Sequence, residues 1–244
     1  MIREARAILK LIPEPLFRDS LRHLEGFSHV WVIFVFHEHL SNGQAPAETE
    51  GPPTTESPQS LRLPWRALIS PPRIDAPEKV GVFASRSPHR PNPIGMSVVK
   101  LEQIDFQAPG GIELHLSGVD LLDGTPVLDL KPYVPYADQI PDATPGWTES
   151  KIPQYSVQFS DASLAVIDSY RDQHRARTGG DLKTLVTQLL SFDPRPTSQR
   201  KAMPIAAEEN EGRPFAFRIL NFDVHWKIKN KGIWVTEVRV LTFD

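Results

Sequence analysis

The stretch Ser85-Arg86-Ser87-Pro88-His89-Arg90-Pro91-Asn92-Pro93-Ile94-Gly95 gathers the densest recognition chemistry in this 244-residue chain. Arg86 and Arg90 offer planar, permanently charged donors suited to a carboxylate or a phosphate. Pro88, Pro91 and Pro93 each fix φ and push the preceding residue toward extended backbone. A loop stiffened in this way gives up little entropy when it binds. Gly95 permits a close backbone approach. The competing reading is a rigid surface turn with two solvated arginines. Two arginines, Asn92 and Gly95 within ten residues favour a binding loop.

Two other stretches carry chemistry. Phe36-His37-Glu38-His39-Leu40 follows an apolar run and holds two imidazoles and a carboxylate. On a strand His37 and His39 share a face, the beginning of a metal site, with His29 earlier on the same run. Two ligands do not complete one, so we expect no metal and a polar site at the strand's mouth. Leu116-Ser117-Gly118-Val119-Asp120-Leu121-Leu122-Asp123-Gly124-Thr125-Pro126 places two carboxylates at a strand end. Asp123-Gly124 is ordinary turn chemistry. Asp120 lies between apolar residues, and Lys131 and Tyr133 add a cation and a phenol just downstream. No Gly-rich phosphate loop or dinucleotide fingerprint occurs, and residues 95–99 lack the second glycine of a nucleophile elbow.

The elements that must position these residues read as mostly extended. HVWVIFVF (29–36) suggests a strand buried on both faces. KVGVFAS (79–85) reads as a short strand leading into the proline loop. IGMSVVKLEQIDF (94–106) and GIELHLSGVDLL (111–122) read as strands joined by QAPGG, with Ile112, Leu114 and Leu116 on the buried face. VLDLKPYVP resumes the pattern after the turn DGTP. Short strands at this spacing suggest a barrel or a rolled sheet. Residues 41–60, rich in Pro, Ser, Thr and Glu, predict a mobile loop.

The character changes near Pro141. Residues 141–154 read as a linker, and 146–244 as a smaller α+β domain. It should hold a helix over 163–177 capped by Ser163, and a second over 181–194 capped by Asp181. The strands FRILNFDVHWKIKN and GIWVTEVRVLTFD should then form a hairpin at Asn230-Lys231-Gly232. The expected class is mainly β, α+β overall.

Composition is that of a soluble globular chain, with 40% hydrophobic and 23% charged residues. There is no cysteine, which excludes disulfides and thiolate chemistry. No signal-like segment opens the chain, and the apolar run 30–36 is far too short to span a bilayer. We therefore expect a cytoplasmic protein. The net charge of −3 argues against a general nucleic-acid coat, yet seven Lys or Arg against two acidic residues from Arg62 to Lys100 leave a local +5.

Lined up, these segments resemble the TrmO (YaeB-type) tRNA methyltransferases. The resemblance rests on Gly26 to Trp31, Phe34 to His37, Gly81 to Ser97, Val119 to Pro126 and Asp129 to Pro135. It extends to Asp193-Pro194-Arg195-Pro196 and to Asn221-Phe222-Asp223-Val224-His225-Trp226. It implies a small single-sheeted β-barrel over residues 1–145 that binds S-adenosylmethionine, a homodimer, and methyl transfer to N6 of threonylcarbamoyladenosine beside the anticodon of tRNA. Neither DNA nor a membrane is an expected partner. Carried over by position, it places cofactor contacts on His37, Glu38, Arg86, Met96, Ser117, Gly118, Val119 and Asp120.

Candidate proton acceptors for such a reaction are Asp120, Asp123, Tyr133 and His37, and the sequence does not choose among them. Arg90, Lys131 and Arg195 are expected at phosphates, and Asn92 at a base or the threonyl group. A non-catalytic RNA-binding or S-adenosylmethionine-sensing module of the same fold is the alternative. Two departures stand out. Arg3 to Leu9 match the residues that come after the family's first strand and Pro-Arg-Gln loop, so that strand is expected to be missing. Glu38 stands where the family more often has Gln, and the 41–60 stretch is longer than usual.

Overall fold

A computed structural model describes residues 2–38, 65–73 and 75–241. His39 and the expected 41–60 loop lie outside the described residues. The chain divides into two compact units, Met1–Gly26 with Lys100–Asp120 and Thr144–Asp244, and Phe27–Val99 with Leu121–Ala143.

In the first unit β1 (Arg6–Lys10) pairs antiparallel with β6 (Glu113–Ser117), Arg6 opposite Ser117. On its other side β6 pairs with the second half of β5 (Ile94–Asp105), Lys100 opposite Ser117. Leu114 and Leu116 are buried on one face, as the alternation predicts. A short helix, α1 (Pro15–Ser20), begins with proline at its first turn, where the missing N–H costs nothing.

In the second unit β2 (His29–Val35) pairs antiparallel with β7 (Val127–Pro132), and β3 (Leu68–Ile69) with β4 (Val80–Gly81). A single helical turn, α2 (Pro135–Asp138), follows β7. Val30, Val32 and Phe34 are buried, whereas Trp31, Ile33 and Val35 are only half-buried. The expected burial on both faces is corrected. β2 belongs to an antiparallel sheet, which needs only one packed face.

The hydrogen-bonded order is β1-β6-β5-β2-β7. Among the described residues no pairing joins β1 to β7, so they show no closed barrel where one was expected. β7 has the features of an edge strand: it ends at Pro132 and carries the exposed ion pair Lys131–Asp129 at 2.7 Å. Regular strand spacing cannot separate a rolled sheet from a closed one.

The C-terminal sheet runs β8-β11-β10-β9, with β8 (Val157–Phe159) parallel to β11 (Gly232–Val240). β9 (Pro214–Ile219) and β10 (Phe222–Lys229) are antiparallel neighbours. Four helices, α3 (Asp161–Ser169), α4 (Arg171–Thr178), α5 (Leu182–Ser191) and α6 (Thr197–Ala202), lie between β8 and β9 in the chain. Ile167, Leu182, Val186 and Leu190 from the helices pack with Val224, Trp226, Ile228, Ile233 and Val235 from the sheet.

The helix expected over 163–177 is two helices meeting at Tyr170. Its cap is Ser160, whose hydroxyl accepts from Ser163 N–H at 3.2 Å and donates to Thr236 O at 2.9 Å. Ser163 is buried inside the first turn. Asp181 caps α5 as expected, accepting from Thr184 N–H at 2.8 Å. That bond holds its carboxyl below the usual carboxylate range. The hairpin turn falls at Asn230 and Lys231, both with positive φ, the geometry that matches strand twist.

Candidate functional site

The proline loop is braced by its own hydroxyls. Ser85 Oγ donates to Val82 O at 2.8 Å and accepts from Ser87 N–H at 3.3 Å, and Ser87 Oγ accepts from His89 N–H at 3.2 Å. Arg90 N–H donates to Pro88 O at 2.8 Å, and Ile94 N–H to Asn92 O at 2.7 Å, two tight turns set by prolines. Arg90, half-buried, reaches back to Ser85 O at 3.4 Å. Arg86 is exposed and makes no hydrogen bond or ion pair among the described residues. The loop therefore holds its shape without using the Arg86 guanidinium.

The end of β2 meets this loop. Phe36 N–H donates to Pro93 O at 2.8 Å, and Val35 N–H to Pro126 O at 3.0 Å. Three stretches singled out in the sequence, 36–38, 85–97 and 122–126, thus gather at one end of β2. His37 is half-buried, with Nε2 at 3.5 Å from the exposed Glu38 carboxylate. Met96 and Ile94 are about half exposed on one face of β5, while Gly95 is buried on the other.

Gly95 is where β5 crosses Phe34. A Cβ there would lie inside the van der Waals envelope of the Phe34 ring, which is buried and packed edge-on against Phe36 at 5.2 Å. Gly95→Ala is expected to destabilise the protein by about 1–3 kcal/mol through overpacking. A denaturant melt should show a lower midpoint with an unchanged slope. An unshifted midpoint would mean that the Phe34 ring moves aside freely.

The Ser117 to Asp120 stretch lies in the other unit. Ser117 is buried, and its hydroxyl donates to Glu102 Oε1 at 2.6 Å. Gly118 adopts φ +74, a left-handed conformation that favours glycine. The N–H groups of Gly118 and Val119 both point at Ala5 O, at 2.9 and 3.4 Å. Those two donors are thus committed to the protein. Asp120 is exposed, although its sequence neighbours are apolar.

The remaining candidates divide. Asp123 is an exposed turn residue, in a turn closed by Thr125 N–H and Oγ1 on Leu122 O. Tyr133 N–H donates to His29 O, and its ring is tilted against Trp31 at 6.1 Å. Asn92 is exposed at the loop's tip. Lys131 is exposed beside Asp129, and its ammonium holds the Asp129 carboxyl below its ordinary range.

Arg195 differs from the rest. Its side chain is 4% exposed, its fork is closed on Asp193 by two 2.7 Å bonds, and it lies over the Phe215 ring at 4.4 Å. The sequence reading missed Glu102, Arg6 and Glu4, which surround the Ser117 turn. Only their non-local pairing marks them.

Fold and site together define a two-domain, mainly β protein, outside the parallel-sheet nucleotide-binding folds, with a braced cationic loop at the end of a central strand. Residues 1–139 match the tRNA-methyltransferase O N-terminal domain and residues 152–241 the TrmO C-terminal domain. A tRNA (adenine(37)-N6)-methyltransferase of Escherichia coli K12 is 33% identical over 96% of this chain and 86% of the relative. A putative S-adenosylmethionine-dependent methyltransferase, RcsF, of Pseudomonas aeruginosa is 38% identical over 91% of this chain and 80% of its own length. The crystal structure of TrmO from P. aeruginosa superposes with a TM-score of 0.65 at 34% identity, covering 98% of this chain and 85% of that one. The chain belongs to the TrmO family, as the sequence resemblance implied.

Proposed function

We propose that this chain is an S-adenosylmethionine-dependent methyltransferase that acts on N6 of adenine 37 in tRNA, with threonylcarbamoyladenosine as the finer substrate. The observation that carries this reading is the match of both family domains along nearly the whole chain, beside relatives named for that activity. We take 1–145 as the catalytic domain and 146–244 as the accessory one. We also propose a cytoplasmic homodimer. In its support, Phe83, Leu122 and Tyr136 leave large apolar surface exposed on the catalytic part. Among the described residues no helix is long and apolar enough to cross a membrane.

The residues present fit the cofactor. Arg86 stands on the braced loop with its guanidinium unpartnered among the described residues, and it suits a methionine carboxylate. In the same unit Met96 offers an exposed apolar side chain and His37 and Glu38 polar groups; Ser117 to Asp120, in the other unit, are proposed as further contacts on the family resemblance. When bound, the cofactor supplies a methyl group on a sulfonium. The chain's task is to hold the N6 nitrogen in line with that methyl and to accept the N6 proton. A carbamoyl group on N6 depletes its lone pair, so proton removal during attack helps the transfer. Asp120, Asp123, Tyr133 and His37 are the acceptors on offer. Arg90 and Lys131 are assigned to phosphates and Asn92 to the base or threonyl group. Arg195 is left out, because its interior position leaves no exposed face for a phosphate.

The test is methyl transfer to tRNA bearing threonylcarbamoyladenosine, read by mass spectrometry of the nucleosides. One added methyl group on that nucleoside is expected. Binding of S-adenosylmethionine with no methyl added to tRNA would replace the enzyme reading with the non-catalytic module.

A further inference from the structure

The turn after β6 is held by β1, and β1 is held by the C-terminal helices. Ala5 O takes both N–H groups of the Gly118–Val119 turn. Glu102 Oε1 accepts from Ser117 Oγ at 2.6 Å and from Arg6 Nη1 at 2.8 Å, while Lys100 Nζ sits 2.7 Å from its other oxygen. In register Arg6 and Lys100 flank Ser117 from either side, so the three charges converge by sheet geometry. Lys100 and then Ser117 are the main causes that hold the Glu102 carboxyl below its usual range.

Arg6 also reaches Glu4 Oε1 at 3.4 Å, and its Nε is buried without a partner among the described residues. Its acidic partners are thus the two carboxylates, Glu4 and Glu102. Glu4 closes the path to α5. Its Oε1 accepts from Asp181 N–H at 2.6 Å, and its own N–H donates to Gln188 Oε1 at 2.9 Å. A carboxylate at a helix N-terminus is favoured by the orphan N–H groups and the helix dipole. Gly180 makes room for this, since a Cβ there would meet Glu4 Oε1 at 3.0 Å and Arg6 Cγ at 3.2 Å. Glu4 and Glu102 side chains are 15% and 27% exposed, so the chain of charges is only partly screened.

We propose that Glu4, Arg6 and Glu102 are positioning residues through which α5 of the C-terminal domain fixes the Ser117–Val119 turn in its cofactor-holding form. This rests on the reading that the turn contacts S-adenosylmethionine. The C-terminal domain thereby contributes to cofactor affinity without touching the cofactor.

The experiment is calorimetry with S-adenosylmethionine and steady-state kinetics on the full chain, at a temperature where circular dichroism shows each variant folded. Glu4→Ala is expected to weaken cofactor binding about five- to twentyfold and to raise its KM, with KM for tRNA unchanged within about twofold. Glu4→Gln keeps an acceptor for Asp181 N–H but loses the charge facing Arg6, and should fall between wild type and alanine. Gly118→Ala, a direct perturbation of the turn, should weaken binding as well. A purely structural role would lower the melting temperature and leave the dissociation constant of the folded protein alone. Wild-type affinity in Glu4→Ala beside a weakened Gly118→Ala overturns the inference and spares the cofactor assignment. Wild-type affinity in Gly118→Ala removes the assignment and the inference with it. If Glu4→Ala does not fold, an unchanged dissociation constant in Glu4→Gln overturns the proposal.

Discussion

Arg195→Ala is expected to lower the unfolding free energy by about 3–5 kcal/mol, the cost of breaking an ion pair buried on both sides. Asp193 and Arg195 are each 4% exposed, and both guanidinium bonds to the carboxylate are 2.7 Å long. Removing the arginine strands the carboxylate in an apolar setting. It also uncovers Phe215, over whose ring the guanidinium lies, and the fully buried Trp226, which packs on Phe215 at 4.7 Å. Asp193 itself is constrained, since it follows α5 with φ +52 and donates its N–H to Leu190 O at 2.8 Å.

The neighbourhood records the same burial. Tyr155 has its phenol raised above the ordinary value first by desolvation and then by the charge of Asp193. A chemical denaturation curve tests the stability claim. The functional corollary is equally direct. At a temperature where the variant stays folded, the slope of log tRNA affinity against log salt should match wild type, because no phosphate contact has been lost. Removing a true phosphate contact lowers that slope by roughly one, and such a drop would return Arg195 to the RNA surface.

Arg195 also shows where sequence reading ends. Asp-Pro-Arg-Pro looks like an exposed, cationic turn, and nothing local says that Phe215 and Trp226, twenty and more residues later, fold over it. β5, β6, β7 and the capped α5 were legible because periodicity and caps are local signals. The end of β9 was not. FRILNFDVHWKIKN reads as one strand, yet the chain reverses at Leu220, whose φ of 53 no turn dipeptide announces.

The site divides in the same way. The proline loop and the residues at the end of β2 were visible as residue types at close spacing. The bracing of the Ser117 turn was not, since it joins residues 4, 6, 102 and 117 through strand pairing that only the folded sheet creates.

Arg86→Ala should weaken S-adenosylmethionine binding by about ten- to a hundredfold, the range for losing hydrogen bonds to a charged partner. The structure favours a clean result. Arg86 is exposed and unpartnered among the described residues, and Ser85, Ser87 and Arg90 hold the loop without it. Stability should therefore stay within about 0.5 kcal/mol of wild type. Any loss of affinity then reports on recognition and not on folding.

Arg86→Lys separates charge from geometry. An ammonium keeps the Coulombic attraction to a carboxylate but cannot donate the planar pair of hydrogen bonds, so it should recover only part of the loss. Full recovery would mean that charge alone is read and the planar fork is not. In turnover the alanine variant should show a higher KM for the cofactor, with KM for tRNA unchanged. A raised KM for tRNA with normal cofactor affinity would move Arg86 to the RNA side, and an affinity equal to wild type would remove it from the cofactor site.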